Sequence, residues 1–189
     1  MKRIALFSLL LFLLACKKQN TIYIPLHNAS LNWLMVTDNF FVDGTGDTLF
    51  FTSATTKNES YSNFADIAEN SGFWDGEIRT QTTVIDSSIT YSTQLRANLD
   101  SGYVRNDLVR LTFQYATTEI TFTGGAHPTN TIDVDSTVFY LPLWNVNGRT
   151  YTNVYYKEII GTDHVAVFVN AELNLVGFFI NGKLYNQEQ

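Results

Sequence analysis

Cysteine is nearly absent from this chain of 189 residues; the only one is Cys16. No disulfide can form within the chain, so the fold must rest on packing and hydrogen bonding. Proline occurs three times and no Gly/Ser tract interrupts the sequence, so nothing reads as a linker between domains. The three histidines, His27, His127 and His164, lie far apart, and none has a second ligand at metal spacing. No serine sits in a nucleophile-elbow string, and no motif calls for a cofactor or a metal. Basic residues are outnumbered twelve to eighteen, for a net charge of −6. An acidic surface of this kind excludes nucleic acid as a partner and argues against docking through a basic patch. Long apolar runs are also missing after the first fifteen residues, so no later segment reads as a membrane-spanning helix.

What is present begins at the amino terminus. Lys2 and Arg3 precede an apolar run from Ile4 to Leu14, followed by Ala15 and Cys16. A basic start, a short apolar stretch and a small residue make a secretory signal, too short for a stable span. Leu13-Leu14-Ala15-Cys16 resembles the lipobox of bacterial lipoproteins. The resemblance implies cleavage of residues 1–15 and lipidation of Cys16 with palmitate-like acyl chains, which also accounts for a lone thiol in a secreted chain. Residues 16–22 then read as the lipidated cysteine and a tether, and 23–189 as a single domain. The leader holds two of the twelve basic residues and none of the acidic ones. Ten against eighteen remain, a net charge of −8. The membrane partner is therefore reached through lipid on Cys16. Lys17, in place of an Asp, tilts the expectation towards the outer membrane of a Gram-negative cell envelope, with the periplasmic or surface face left open.

The rest of the chain reads as strands. In Leu108 to Tyr115, Val109, Leu111, Phe113 and Tyr115 share one face, and Arg110, Thr112 and Gln114 share the other. Glu119 to Thr123 and Thr150 to Tyr156 alternate as well. Asp43-Gly44-Thr45-Gly46-Asp47, Asp100-Ser101-Gly102, Asn147-Gly148 and Asn181-Gly182 carry turn chemistry, and the two Asn-Gly pairs suit tight hairpins. Tyr61 to Asn70 places Phe64, Ile67 and Ala68 at helical spacing and is the one helix candidate. The expected fold is mostly β: a single antiparallel meander sheet with at most one short helix.

The tail carries a second resemblance. Asn147 to Val154, Val165 to Val169 and Leu175 to Lys183 resemble the end of uncharacterised Bacteroidetes lipoproteins, whose tails run "G-x-x-Y-x-N-V", a strand, "G-L-V" and a last Gly-turn strand. This chain has Asn174-Leu175-Val176 at the third element. Ile24-Pro25-Leu26 and Trp33 resemble their opening. The resemblance covers the lipobox, the start and roughly the last forty residues. It implies an antiparallel β-domain whose sheet is a curved half-barrel or barrel-like, and it brings no catalytic residues. It also makes Asp47-Thr48-Leu49 and Asp135-Ser136-Thr137 similar to the phylum's O-glycosylation tripeptide, with Thr48 and Ser136 as acceptors.

Candidate sites follow from the residue types. Trp33, Trp74 and Trp144 can line a lipid or sugar pocket, although tryptophans of β-domains are more often core. Thr123-Gly124-Gly125-Ala126-His127-Pro128 reads first as a strand-ending turn, with His127 as an exposed contact. Asp133 and Asp135 alternate, which places both carboxylates on one strand face, next to solvent or available for acid–base work. Three functions follow in order. The first is a non-catalytic envelope lipoprotein binding a hydrophobic ligand or a protein partner. The second is a surface glycan-binding lipoprotein using ring platforms. The third is a hydrolase-like enzyme built on His127, Asp133 and Asp135.

Overall fold

A computed structural model describes residues 22–35, 40–65, 72–99 and 105–188. The leader, Cys16 and the tether up to residue 21 lie outside the described residues, as does the Asp100 turn. Ile22 is already in the domain, as the first residue of strand β1, Ile22–Ile24.

The fold is mostly β, with strands over 71% of it. The first sheet contains β1, β4 (Ser53–Ala65), β5 (Gly72–Asp86), β6 (Ile89–Arg96), β7 (Asp107–Tyr115), β8 (Thr118–His127) and β9 (Thr131–Ile132). From β4 to β9 it is an antiparallel meander. β1 pairs in parallel with the start of β5, with Ile22 beside Trp74. The second sheet runs β10 (Phe139–Val146), β11 (Arg149–Ile160), β12 (His164–Asn170), β13 (Asn174–Ile180), β14 (Lys183–Glu188), β2 (Phe40–Asp43) and β3 (Thr48–Phe50). Its last neighbours join the two ends of the chain, with Asp43 opposite Tyr185.

The meander is therefore split into two sheets instead of one, and neither closes into a barrel. The physical reason is the alternation itself. Each sheet has one apolar face, and two such faces bury one another most completely when stacked. Tyr91, Leu95, Leu111, Phe113, Ile120 and Phe122 of the first sheet share one core with Phe41, Val167, Leu175 and Phe178 of the second. Phe113 and Phe178 meet across the layers, with ring centroids 5.2 Å apart. The alternation in β7 and β8 holds as read: Val109, Leu111, Phe113, Ile120 and Phe122 face in, and Arg110 and Gln114 face out.

The turns also hold. Asn147-Gly148 has φ +48° and +77°, and Asn181-Gly182 has φ +47° and +94°, the positive pair that a two-residue hairpin needs. In the Asp43 loop one carboxylate oxygen accepts from Thr45 N (2.9 Å), Thr45 Oγ1 (2.8 Å) and Asp47 N (2.9 Å).

The expected helix at Tyr61–Asn70 is not found where it is described. Tyr61 to Ala65 belong to β4, and 66–70 lie outside the described residues. Tyr61 packs edge-on against Trp74 and beneath the Arg96 guanidinium, cross-strand contacts that override a weak helical spacing. Among the described residues the one helix is a 3₁₀ segment, Asn28–Trp33, capped by His27, whose Nδ1 accepts from Ala29 N at 3.1 Å. It packs against β6 and β8 of the first sheet. Met35 N donates to Gln81 Oε1 (2.7 Å), and Leu26 N donates to Glu77 Oε2 (2.9 Å).

The β10–β11 hairpin bends. Asn153 has φ +53° and sits across from Pro142, at the one position skipped in an otherwise continuous register. Beyond the bend, the turn end of the hairpin lies over the outer face of β13 and β14. Asn147 Nδ2 donates to Asn186 Oδ1 (2.6 Å), Tyr151 Oη donates to Gln187 O (2.8 Å), and Arg149 pairs with Glu188. A second apolar cluster, Val146, Tyr151, Val154 and Val176, is sealed beneath it. Gly177 makes room: a Cβ there would sit 2.5 Å from Tyr185 O and 3.1 Å from the Trp144 ring.

Candidate functional site

The three tryptophans do not form one site. Trp33 ends the 3₁₀ helix with no exposed surface, and Trp74 is 4% exposed. Both are core, as large aromatic rings usually are. Trp144 alone reaches the surface, half-buried on the bent hairpin. It lies face to face with Phe168, with centroids 4.1 Å apart and planes 7° apart. Phe168 continues to Tyr156 (5.5 Å, 22°), and Tyr156 to Phe139 (5.1 Å, 25°). The row therefore crosses β10, β11 and β12 on the outer face of the second sheet. The register explains it: Phe139 is opposite Tyr156, and Tyr156 is opposite Phe168. Stacked rings cover each other's faces and leave edges to solvent, so the row is an apolar surface more than a set of open ring platforms.

That surface widens along the free margin of the sheet. Phe139, Tyr140, Leu143, Ile159 and Ile160 are all exposed, Ile160 to 74%. No charged residue occurs from Val138 to Val146. The other long edge strand, β4, carries Lys57 and Glu59, which pair at 2.6 Å. Charge on an edge strand is a common guard against association, and β10 has only Pro142.

His127 does not stand alone in solvent. Its ring stacks on His27 at 3.7 Å with planes 4° apart. Across the strand from it, Asp107 is fully buried. Its carboxylate accepts from His27 N (2.6 Å), Ser30 Oγ (2.6 Å) and Arg105 Nε (3.2 Å). This cluster clamps the segment that enters the 3₁₀ helix. Gly124 and Gly125 admit the returning chain: a Cβ on either would lie 2.0 Å from Thr131 O or Thr129 Oγ1. The glycines therefore lie within β8, paired on both sides, and the turn comes after them at Pro128.

Asp133 and Asp135 do not share a strand face, because β9 ends at Ile132. Asp133 Oδ2 accepts from Thr123 Oγ1 (3.1 Å). Asp135 Oδ1 accepts from Thr137 Oγ1 (2.7 Å), Thr137 N (2.6 Å) and Val138 N (3.0 Å). The Thr137 hydroxyl first, then its backbone N–H, hold the Asp135 carboxyl below its ordinary range. Thr123 is four residues from His127 along β8, roughly 13 Å at strand rise. His127, Asp133 and Asp135 therefore do not converge on one substrate atom. Among the described residues no group of three His, Cys, Asp or Glu side chains could hold a metal ion.

Ser136 is exposed at the tip of the Asp135 turn. Thr48 is half-buried at the start of β3, where its hydroxyl donates to Gly46 O (3.3 Å). One interlayer cleft of about 300 Å³ opens at the end of the sandwich between Leu49, Ile89, Tyr115, Ile180 and Tyr185. Asp86, Ser88, Asn181 and Lys183 complete its wall, so the cleft is mixed in character. It requires both sheets, which is why sequence reading missed it.

No family model, no curated protein and no solved structure matches this chain.

Proposed function

We propose that the protein is a non-catalytic lipoprotein of the cell envelope. In this reading it is held on the outer membrane through acylated Cys16 and binds a protein partner through the apolar margin of its second sheet. One observation carries the binding half: an uncharged edge strand, in an acidic chain, that exposes Phe139, Tyr140 and Leu143, with Ile159 and Ile160 exposed on the neighbouring strand beyond Lys157 and Glu158. Contiguous exposed apolar surface of this kind marks interaction sites on monomeric proteins. The anchoring half rests on the lipobox pattern. Photo-crosslinking residues placed at Leu143 and Ile160 in intact cells test the surface, with Thr121 on the other sheet as control. A discrete adduct from the first two and none from the control is expected. Equal patterns from all three positions reject the surface. A Cys16→Ser variant that still partitions with the membrane rejects the anchor.

A second reading, a hydrophobic ligand, draws on the cleft between Leu49, Ile89 and Tyr185. Native mass spectrometry of residues 17–189, purified without detergent, tests it. A reproducible lipid-mass adduct that Ile89→Trp removes supports the cleft, and a bare polypeptide mass counts against it. The intact mass of the native protein also tests glycosylation at Thr48 and Ser136. A mass equal to polypeptide plus acyl chains excludes it.

A further inference from the structure

The outer face of the first sheet is polar, and one recess of about 250 Å³ interrupts it. Gln94 and Arg96 of β6, Leu108 and Arg110 of β7, and Thr123 of β8 line it. The register builds the recess. Arg110 is opposite Gln94 on one side and Thr123 on the other, and Arg96 is opposite Leu108. Gln94 and Arg96 are two residues apart on one strand and therefore share this face with Arg110.

The charge pattern is unusual for this chain. Lys57, Arg79, Arg105, Arg149 and Lys183 each pair with a carboxylate. Among the described residues Arg96 and Arg110, like the isolated Lys157 on the other sheet, have no carboxylate within 4.0 Å, although acidic residues outnumber basic ones eighteen to twelve. Two like charges on neighbouring strands repel, and an acidic protein has carboxylates to spare for neutralising them. Arg96 is also held in place: its guanidinium lies 3.8 Å above the Tyr61 ring. The one carboxylate in the recess wall, Asp133, accepts the Thr123 hydroxyl.

We infer that this recess binds the oxyanion of an acidic sugar, a carboxylate or a phosphate, between Arg96 and Arg110. Guanidinium forks match both groups through paired N–H donors. Gln94 and Thr123 supply hydroxyl partners beside the charge, and Leu108, 36% exposed, offers an apolar contact to the carbon face of a ring. The recess is open and the size of one sugar unit, so it suits a terminal or single residue of a glycan. This site is separate from the apolar margin of the second sheet and does not depend on that reading.

The test is amide-resolved NMR titration of residues 17–189 with glucuronate, glucose 6-phosphate, inorganic phosphate and neutral glucose. Saturable shifts at Gln94, Thr123 and Gly124 are expected with the two acidic sugars and not with glucose. The stronger of the two tells carboxylate from phosphate. Arg110→Gln, an exposed substitution that leaves the core untouched, weakens binding about tenfold or more, as loss of a charged fork does. Arg110→Lys restores only part of it. Equal response to glucose, equal binding by Arg110→Gln, or inorganic phosphate binding as tightly as either sugar overturns the inference.

Discussion

Asn174 gives the sharpest test of how the two sheets are joined. It begins β13, is 1% exposed and has φ +66°, a left-handed backbone that favours Gly or Asn. Its side chain reaches out of the second sheet. Oδ1 accepts from the Tyr91 hydroxyl; Nδ2 donates to Trp33 O and to Thr93 Oγ1, the last at 2.8 Å. One carboxamide thus ties the β12–β13 turn to the first sheet and to the 3₁₀ segment. Asn174→Ala removes three hydrogen bonds and leaves their partners buried, at about 1–1.5 kcal/mol each. The left-handed backbone adds roughly 1 kcal/mol for alanine. The total is about 4–5 kcal/mol, which lowers Tm by roughly 8–20 °C in a domain of this size. Asn174→Gly relieves the backbone strain and recovers roughly 1 kcal/mol of that. Urea denaturation of Asn174→Ala, Tyr91→Phe and the double variant completes the test. A coupling of about 1 kcal/mol or more is expected between the two sites. Additive losses, or an Asn174→Ala midpoint within error of the native chain, refute the account.

Three further outcomes follow. Burial pushes the Asp43 carboxyl up, but the Thr45 hydroxyl and amide, the Asp47 amide and the Lys183 ammonium outweigh it, and the net shift is down. A depressed carboxyl contributes stability above its unfolded value, near 3.9, that is lost as pH falls through the folded value. Urea midpoints measured from pH 5 downwards therefore drop more steeply in the native chain than in Asp43→Asn. Gly177→Val drives a side chain into Tyr185 O and the Trp144 ring, so the hairpin lifts. Trp144 fluorescence, isolated in a Trp33→Phe, Trp74→Phe background, should shift to the red, and an unchanged spectrum contradicts the packing. Burial pushes the Tyr91 phenol well above its ordinary value, so in a spectrophotometric titration it ionises only with unfolding. Tyr91→Phe should remove one tyrosine from the unfolding-linked step and none from the early one.

Much of the fold was legible because strand alternation and Asn-Gly turns are local. Val109, Leu111 and Phe113 announce their face within a few residues, and Asn147-Gly148 announces its turn. The division into two sheets was not legible. Both sheets alternate alike, and only long-range pairing, such as Asp43 with Tyr185, assigns β2 to the second. The tryptophans failed for a related reason. A ring on a strand has the same local sequence whether its neighbour is solvent or another layer, and Trp33 is covered from both sheets' side of the core. The bend at Asn153 had a signal, an Asn opposite a proline, but it acquires meaning only once β10 and β11 are known to pair. Arg96 and Arg110 are fourteen residues apart, and only the β6–β7 register makes them neighbours.

The pairing of β14 with β2 also sets a schedule. A chain made from its amino end produces Phe40 to Asp43 long before β14, the strand they lie against. The second sheet cannot be assembled piecemeal. Its β2–β3 hairpin must wait, unpaired on one side, until β14 has been made. Such high contact order makes for slow folding and a long window of exposure to proteases and to other nascent chains. Removal of the six residues of β14 would leave two raw strand edges, on β13 and β2, where one continuous sheet had been, so a single short strand decides whether the second sheet holds together.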